Sequence, residues 1–306
     1  MRTAFIEELT RLAGLDERIW LLTGDLGFSV LEEYAQRFPR RYCNVGVAEQ
    51  NMTGMAAGLA MCGKIVFTYS IANFPTLRCL EQIRNDVCYH CANVKVVAVG
   101  GGLAYGPQGY THHALEDLAI LRTLPGLVVL APGDPAEARL ATRAAAEWNG
   151  PCYLRLGKSG ETKVHPAPPA FRIGEAIVLR DGPDATFIST GGMLKTAVEA
   201  ADALAVRGIH VRILSMHTVK PLDEQAILRA AQETGGIVTL EEHSIVGGLG
   251  SAVAEVLVTA GRATRFRRIA LPDCHWQVAG SQEHIRKSAG DPVEETLKLL
   301  QASGRP

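Results

Sequence analysis

A single carboxylate stands at the centre of Val45-Gly-Val-Ala-Glu-Gln-Asn-Met52, where Glu49 falls between a short apolar run and a helix made largely of small residues. The run before it (42–47) reads as a short buried strand. The stretch after it (51–61) reads as a helix whose small face can approach another backbone closely. An acid in such a place is costly to keep charged unless a partner compensates it or it holds a proton, and that is how a proton-transferring carboxyl is built. The competing reading is structural, because glutamates are common in first turns, where the macrodipole favours them. His112 and His113 follow the turn-forming Gly106-Pro-Gln-Gly109. At the open end of a parallel sheet they would be candidate general acids, bases or hydroxyl binders. Cys88-Tyr-His-Cys91 has metal-ligand spacing, but no second pair with zinc spacing follows.

The elements that must position these groups alternate. Short apolar runs bounded by Gly, Pro or Asp predict strands at 19–23, 42–47, 65–69, 94–99, 127–130 and 152–156, with helical patterns between them. This is the signature of a parallel sheet covered on both faces. A helix is expected from near Phe74 through the Cys88–Cys91 segment, and another over 114–122. Gly133-Asp-Pro-Ala-Glu137 opens a helix with Asp134 as N-cap, Pro135 at the first helical position and Glu137 closing a capping box. Lys163-Val-His-Pro-Ala-Pro-Pro-Ala-Phe171 then breaks the pattern, since three prolines in nine residues make a stiff strap. Beyond it the alternation resumes, with strands at 176–179, 185–189, 211–215, 236–240 and 267–271 and helices at 193–206, 223–233, 250–260 and 291–300. The expected fold class is α/β, as two consecutive parallel-sheet βα domains: 1–160, a linker at 161–173, and 174–306.

Composition narrows the function. The 306 residues are 47% hydrophobic and 21% charged, as in an ordinary globular protein, and are ample for two domains. The net charge of −1, with no basic run of five or more, argues against nucleic acid as a partner. No apolar stretch is long enough for a membrane span and the first residues do not read as a signal, so a cytoplasmic location is expected. Seven cysteines, an odd number scattered through predicted elements, are expected as buried free thiols.

The run 45–60 resembles the pyrimidine-binding motif of the transketolase family of thiamine diphosphate enzymes. The similarity continues through Phe67-Thr-Tyr-Ser-Ile-Ala-Asn-Phe74, Arg78-Cys-Leu-Glu-Gln-Ile-Arg84, Gly106-Pro-Gln-Gly-Tyr-Thr-His-His-Ala-Leu-Glu-Asp117 and Glu241-Glu-His-Ser-Ile-Val-Gly-Gly-Leu-Gly250, in family order and across nearly the whole chain. The resemblance implies that Glu49 contacts N1′ of the aminopyrimidine and that Phe74 stacks on that ring. Ile71 holds the position of a second aromatic found in many relatives, and Asp25 lies near the cofactor, unless it simply caps a helix starting near Ser29. Arg78 and Gln82 are expected to form structural pairs and carry no chemistry. His112 matches a substrate-contacting position. Gln108 stands where transketolase has a hydroxyl-recognising aspartate, and Lys158 where an arginine grips the sugar phosphate. Arg155 reads as buried and paired. His243 is a candidate for which the structural reading is favoured, and His113 is expected to face inward.

The family's diphosphate is held through a divalent metal by a G-D-G motif and a distal asparagine. Here Gly24-Asp-Leu-Gly27 displaces the third glycine and lies upstream of Glu49, so no metal ligand is expected in this chain. The resemblance therefore implies the C-terminal half of a split transketolase. The thiamine diphosphate would be shared with an N-terminal subunit that binds the diphosphate and Mg²⁺ or Ca²⁺, in an α2β2 heterotetramer with a homodimeric contact. The expected reaction is transfer of a two-carbon ketol unit from a small-molecule ketose to an aldehyde. Alternatives are the β-subunit of a 2-oxoacid dehydrogenase, a carboligase like deoxyxylulose-phosphate synthase, and a non-catalytic scaffolding subunit.

Overall fold

The computed structural model describes residues 1–301; the last five residues of the expected 174–306 domain lie outside the described residues. The first half contributes α1 (Arg2–Ala13), β1 (Ile19–Thr23), α2 (Glu32–Arg37), β2 (Tyr42–Asn44), α3 (Glu49–Met61), β3 (Ile65–Ile71), α4 (Leu80–Gln82), β4 (Val94–Val99), α5 (Asp117–Arg122), β5 (Val128–Leu130), α6 (Pro135–Glu147) and β6 (Cys152–Leu156). The second half contributes β7 (Ile177–Arg180), β8 (Ala185–Ser189), α7 (Leu194–Ala205), β9 (Val211–Ser215), β10 (Thr218–Lys220), α8 (Glu224–Glu233), β11 (Ile237–Ser244), α9 (Leu249–Thr259), β12 (Phe266–Leu271), α10 (Gln282–Arg286) and α11 (Pro292–Gln301).

The first sheet has the order β10-β5-β6-β4-β3-β1-β2 and the second β12-β11-β8-β9-β7. Each is parallel except for one edge strand: β10 pairs antiparallel with β5, and β7 antiparallel with β9. The β10 edge is not expected from the sequence at all, and the β7 edge is expected as a strand at 176–179 but within a parallel sheet. The first one matters, because β10 belongs to the second half of the chain yet completes the first half's sheet. Alternate residues of the central strands feed two cores. Leu22, Val66 and Val96 pack beneath α3 and α5, whereas Leu21, Phe67 and Val97 pack beneath α1 and α6. Burial on both faces is why β4 reads as one apolar run rather than an alternating one. Lys95 is its exception. Burial pulls its pKa down to about 8, and its Nζ donates to the carbonyls of Trp148 and Gly150 at 2.6 and 2.5 Å.

Several local expectations change. The strand expected over 42–47 stops at Asn44, because Gly46 takes φ +74° and its N–H turns back to Asn44 Oδ1 at 3.0 Å. The helix expected from Phe74 begins only at Leu80 and continues as a π-helical turn over Ile83–Cys88; before it the chain makes separate turns around Pro75, with the Phe74 N–H bonded to the Ile71 carbonyl and the Cys79 N–H to that of Thr76. The helix expected over 114–122 starts at Asp117. All seven cysteines are free, but Cys62, Cys91 and Cys274 are exposed, so burial describes only some of them. Among the described residues, no helix is long and apolar enough to cross a membrane.

The proline-rich strap is tied down. Asp134 caps α6 through the Glu137 N–H at 2.8 Å and with its other oxygen accepts the N–H groups of Val164 and His165 at 2.9 and 3.0 Å. The Glu137 carboxylate reaches back one residue further than a capping box requires, to the Gly133 N–H at 2.6 Å, and also binds His165 Nε2 at 2.6 Å. Burial opposes protonation of His165, but the Glu137 hydrogen bond and charge outweigh it and raise its pKa above 6.5. A raised folded-state value means the strap gains stability from the proton below the ordinary histidine pKa and loses that gain as pH rises through the raised one. H165Q should therefore lower stability by about 2 kcal/mol, typical of a charge-assisted hydrogen bond. The deficit should be largest near pH 6 and should shrink by pH 9, read from thermal unfolding of both proteins across that range.

Candidate active site

The chain order β1→β2 runs one way across the first sheet, and β3→β4 runs the other. The loops after β1 and β3 therefore diverge, and a crevice opens beyond the carboxyl ends of these strands, where open α/β sheets bind ligands. Glu49, the first residue of α3, sits in this crevice with its side chain 1% exposed. A Cβ on Gly24, in the loop after β1, would come within 3.3 Å of Glu49 Cγ, so glycine there lets backbone lie against the acid. From the loop after β3, Arg78 Nη1 donates to Glu49 Oε2 at 2.8 Å. The same guanidinium lies 5.0 Å from the centroid of the Phe74 ring. Gln50 Nε2 donates to the Arg78 carbonyl at 3.1 Å and holds that backbone in place. Beneath, Cys79 is buried; desolvation, with the Glu49 charge adding to it, raises its thiol pKa.

A row of rings leads away from the acid. Phe74 meets His112 edge-on at 5.4 Å, His112 meets Tyr105 at 6.4 Å, and Lys158 Nζ stands 5.1 Å from the Tyr105 centroid. Asn73 fastens the Phe74 loop to the histidine loop through the carbonyls of Thr111 and His113. Thr111 Oγ1 lies 3.0 Å from His112 Nδ1, which leaves Nε2 for a ligand. His113 is buried with Nε2 3.2 Å from the Gly106 carbonyl, which makes it a support for the loop. Beside Phe74 and Arg78 lies a groove of about 360 Å³, also lined by Asn73, Leu77, Tyr110 and Thr111.

Of the residues singled out from sequence, Glu49, Phe74, His112 and Lys158 fall along this one track. Ile71 ends β3, and its carbonyl accepts the Phe74 N–H at 2.8 Å. Asp25 does not cap a helix, because α2 begins at Glu32. It adopts φ +58° and accepts from Asn44 Nδ2 at 2.9 Å, joining the loops after β1 and β2. Gln108 is exposed in the turn Gly106–Gln108. Sequence reasoning gives no chemical place to Arg78, Tyr105 or Asn73. Adjacency to Phe74 is the one available signal for Asn73, and nothing in the spacing links Arg78 to an acid 29 residues away. Among the described residues no cluster of three or more His, Cys, Asp or Glu could hold a metal; Cys88 is buried and Cys91 exposed.

Behind the row of rings the site is braced by charge. Arg155 Nε donates to Asp117 Oδ2 at 2.8 Å, and Tyr153 OH to the same oxygen at 2.6 Å. Burial and the Asp117 charge push the Tyr153 pKa well up. Burial works against the Arg155 charge, yet Asp117 keeps its pKa raised. Arg155 Nη2 also donates to the carbonyls of Ala114 and Glu242 at 2.7 and 3.0 Å. His243 is buried: Nδ1 lies 2.8 Å from the Ser244 carbonyl, and Nε2 accepts the Ala119 N–H at 3.2 Å. Both ring nitrogens are thus engaged by backbone, which is a structural setting.

The residues present suit an aminopyrimidine. Such a ring needs one poised carboxyl in a dry place and an aromatic face beside it, and Glu49 and Phe74 supply both within reach of a single guanidinium. Residues 1–161 match the transketolase pyrimidine-binding domain, and residues 174–293 match the transketolase C-terminal domain. The 6-deoxy-6-sulfo-D-fructose transketolase subunit of Clostridium sp. (strain MSTE9) is 38% identical, over 97% of this chain and 92% of its own. An apulose-4-phosphate transketolase subunit of Phocaeicola vulgatus is 40% identical, over 89% of this chain and 87% of its own. A solved split-gene transketolase, described as an inactive β4 tetramer, superposes with a TM-score of 0.87 at 38% identity, covering 98% of this chain and 96% of that one. The chain belongs to the transketolase family of thiamine diphosphate-dependent transferases, as the half carrying the pyrimidine-binding and C-terminal domains.

Because Arg155 is buried and Asp117 is its counter-charge, D117N should cost about 3–5 kcal/mol, the usual penalty for breaking a buried pair from one side. The double variant D117L/R155M, which removes both charges, should recover much of that loss. Chemical denaturation midpoints of the three proteins check both statements.

Proposed function

We propose that this chain is the catalytic subunit of a split transketolase, moving a two-carbon ketol unit from a ketose to an aldehyde acceptor. The observation that carries the reading is the buried Glu49 carboxylate at the mouth of the crevice, one guanidinium away from the Phe74 face. The cofactor, when bound, supplies a carbanion that attacks the substrate carbonyl. In the proposed roles, Glu49 shares a proton with the ring nitrogen that meets it, Phe74 offers the ring a flat apolar face, and Ile71 backs that face. Asp25 sets the position of the neighbouring loop. His112, through Nε2, binds a hydroxyl or moves a proton at the reacting carbonyl, and Gln108 meets the substrate from the loop before it.

The far end of the track suits an anion. The two relatives are named for a sulfonated and a phosphorylated sugar. Here Lys158 stands at the end of the ring row and lines a cleft of about 200 Å³. Lys195 and Arg286 also line it but are paired with Glu199 and Glu242, and Glu161 and Glu283 border it too, so the reading rests on Lys158 itself. We propose a sugar substrate carrying a terminal phosphate or sulfonate, held by Lys158 as a point charge rather than by a bidentate fork. K158M should then raise KM about tenfold for the anionic ketose and leave kcat nearly unchanged, because this contact is the same in ground and transition states. Steady-state kinetics on phosphorylated and unphosphorylated ketoses check it; the unphosphorylated substrate should show no change in KM.

The proposed organisation is a pyrimidine domain over 1–160, a linker over 161–173 and a C-terminal domain from 174, working in the cytoplasm with a second subunit. That partner would hold the diphosphate and a divalent metal, Mg²⁺ or Ca²⁺, in an α2β2 assembly. The description of the split-gene neighbour as an inactive β4 tetramer supports a need for the partner. An open face of α3 supports a contact with another chain: Gly54 and Gly58 have nothing near them, beside the exposed Val47, Met55 and Met61. In the assembled enzyme E49Q should lower kcat about a thousandfold, the scale of a lost proton-transferring group, with the circular dichroism of the fold unchanged. Near-normal activity in E49Q would instead favour a scaffolding role.

A further inference from the structure

We infer that Arg78 is a displaceable placeholder, occupying the seat of the cofactor's heterocycle in the unloaded chain and leaving it when the ring arrives. The inference rests on the reading above, that Glu49 and Phe74 receive that ring. Three observations carry it. The Glu49 side chain is 1% exposed, and the Arg78 guanidinium at 2.8 Å is its ion-pair partner. That guanidinium also lies over the Phe74 ring, 5.0 Å from its centroid. Arg78 itself is 47% exposed and borders the open groove beside Tyr110 and Thr111, so there is room for it to swing aside.

The two surfaces a flat nitrogen heterocycle needs, an acid edge and an aromatic face, are thus both covered by one flexible side chain. Guanidinium and heterocycle exclude each other for a chemical reason as well as a steric one. A guanidinium is a permanent cation with donors only, and it cannot pass a proton back and forth with the carboxyl as a ring nitrogen can. Before the ring arrives, a buried carboxylate without a counter-charge would be costly. Arg78 meets that need from a turn whose backbone is pinned by Gln50, so only the side chain has to move. Ring binding therefore works against the ion pair, and apparent cofactor affinity is reduced by the stability of the Arg78–Glu49 contact.

The test uses this chain co-purified with the subunit that completes the site, titrated calorimetrically with thiamine diphosphate and Mg²⁺. R78M removes the competitor and should tighten cofactor binding about tenfold or more. R78Q, which keeps an amide for Glu49 but no charge, should tighten it less, and it carries the test if R78M does not assemble. In an E49Q background, where no ion pair exists to be broken, R78M should change affinity by less than about twofold. A structure of the loaded, unmodified complex should show the Arg78 guanidinium away from Glu49. Unchanged or weaker binding in both Arg78 variants, or a loaded structure that keeps the ion pair, overturns the placeholder while leaving the site reading intact. Failure of the unmodified complex to bind the cofactor at all overturns the site reading, and the placeholder falls with it.

Discussion

An ionised carboxylate loses several kcal/mol of hydration when it is taken into a protein interior, and something must replace the water it gives up. At the end of the first sheet Glu49 faces that problem, and the surrounding chain is arranged around its solution. The loop after β1 uses Gly24 so that backbone can lie against the acid, and the loop after β3 folds into a turn that brings Arg78 to it. The helix start gives Glu49 a favourable dipole, although Ala48 provides no side-chain cap. Two strands, two loops and one helix converge because connections leave β1 and β3 in opposite directions. A sheet order without that reversal would leave no crevice between them.

The second half of the chain holds this crevice still more than it lines it. Strand β10 adds an antiparallel edge to the first sheet, and Lys220 at its end donates to the carbonyls of Arg122 and Leu124 behind α5. Glu242 joins the two sheets from the other side: its carboxylate takes the Leu103 N–H together with Arg286 and Gln282, while its carbonyl takes Arg155. Leu103 and Leu115, from the loop that carries His112, pack into the second half's core. The position of the histidine loop is thereby fixed by residues more than a hundred positions away, which loop geometry alone would not achieve.

How much of this can be read in advance follows from the range of each interaction. Strands 19–23, 94–99, 152–156, 185–189 and 211–215 have the same limits in the structure, because each is a run buried on both faces and ended by a turn residue or a change of polarity. Residues 218–220 are too short and too mixed to announce a strand, and their partner lies in the other half. The onset of the helix before Ile83 is misplaced from sequence because apolar spacing continues through the turn at Pro75, where the Phe74 and Cys79 N–H groups bond only three residues back, to Ile71 and Thr76. Glu49 and His112 are legible because each stands in a motif. Arg78 stands in one too, yet its partner is fixed by tertiary structure, so the sequence offers it pairing without chemistry.

That last gap points to how the site divides its tasks. The residues proposed to do chemistry, Glu49 and His112, lie at opposite ends of a short aromatic bridge, with Phe74 between them. Phe74 therefore contacts the cation that compensates the acid on one side and the histidine on the other. A ligand ring seated on Phe74 would touch the proton-sharing carboxyl at one edge and bring its reactive end toward His112, Tyr105 and Lys158. In the proposed roles, proton control is kept at the buried end of the track, and charge recognition at the exposed end, where lysine is better solvated. On the same proposal, the intervening rings keep a substrate anion held at Lys158 at a distance from the carboxylate of Glu49, which would otherwise repel it.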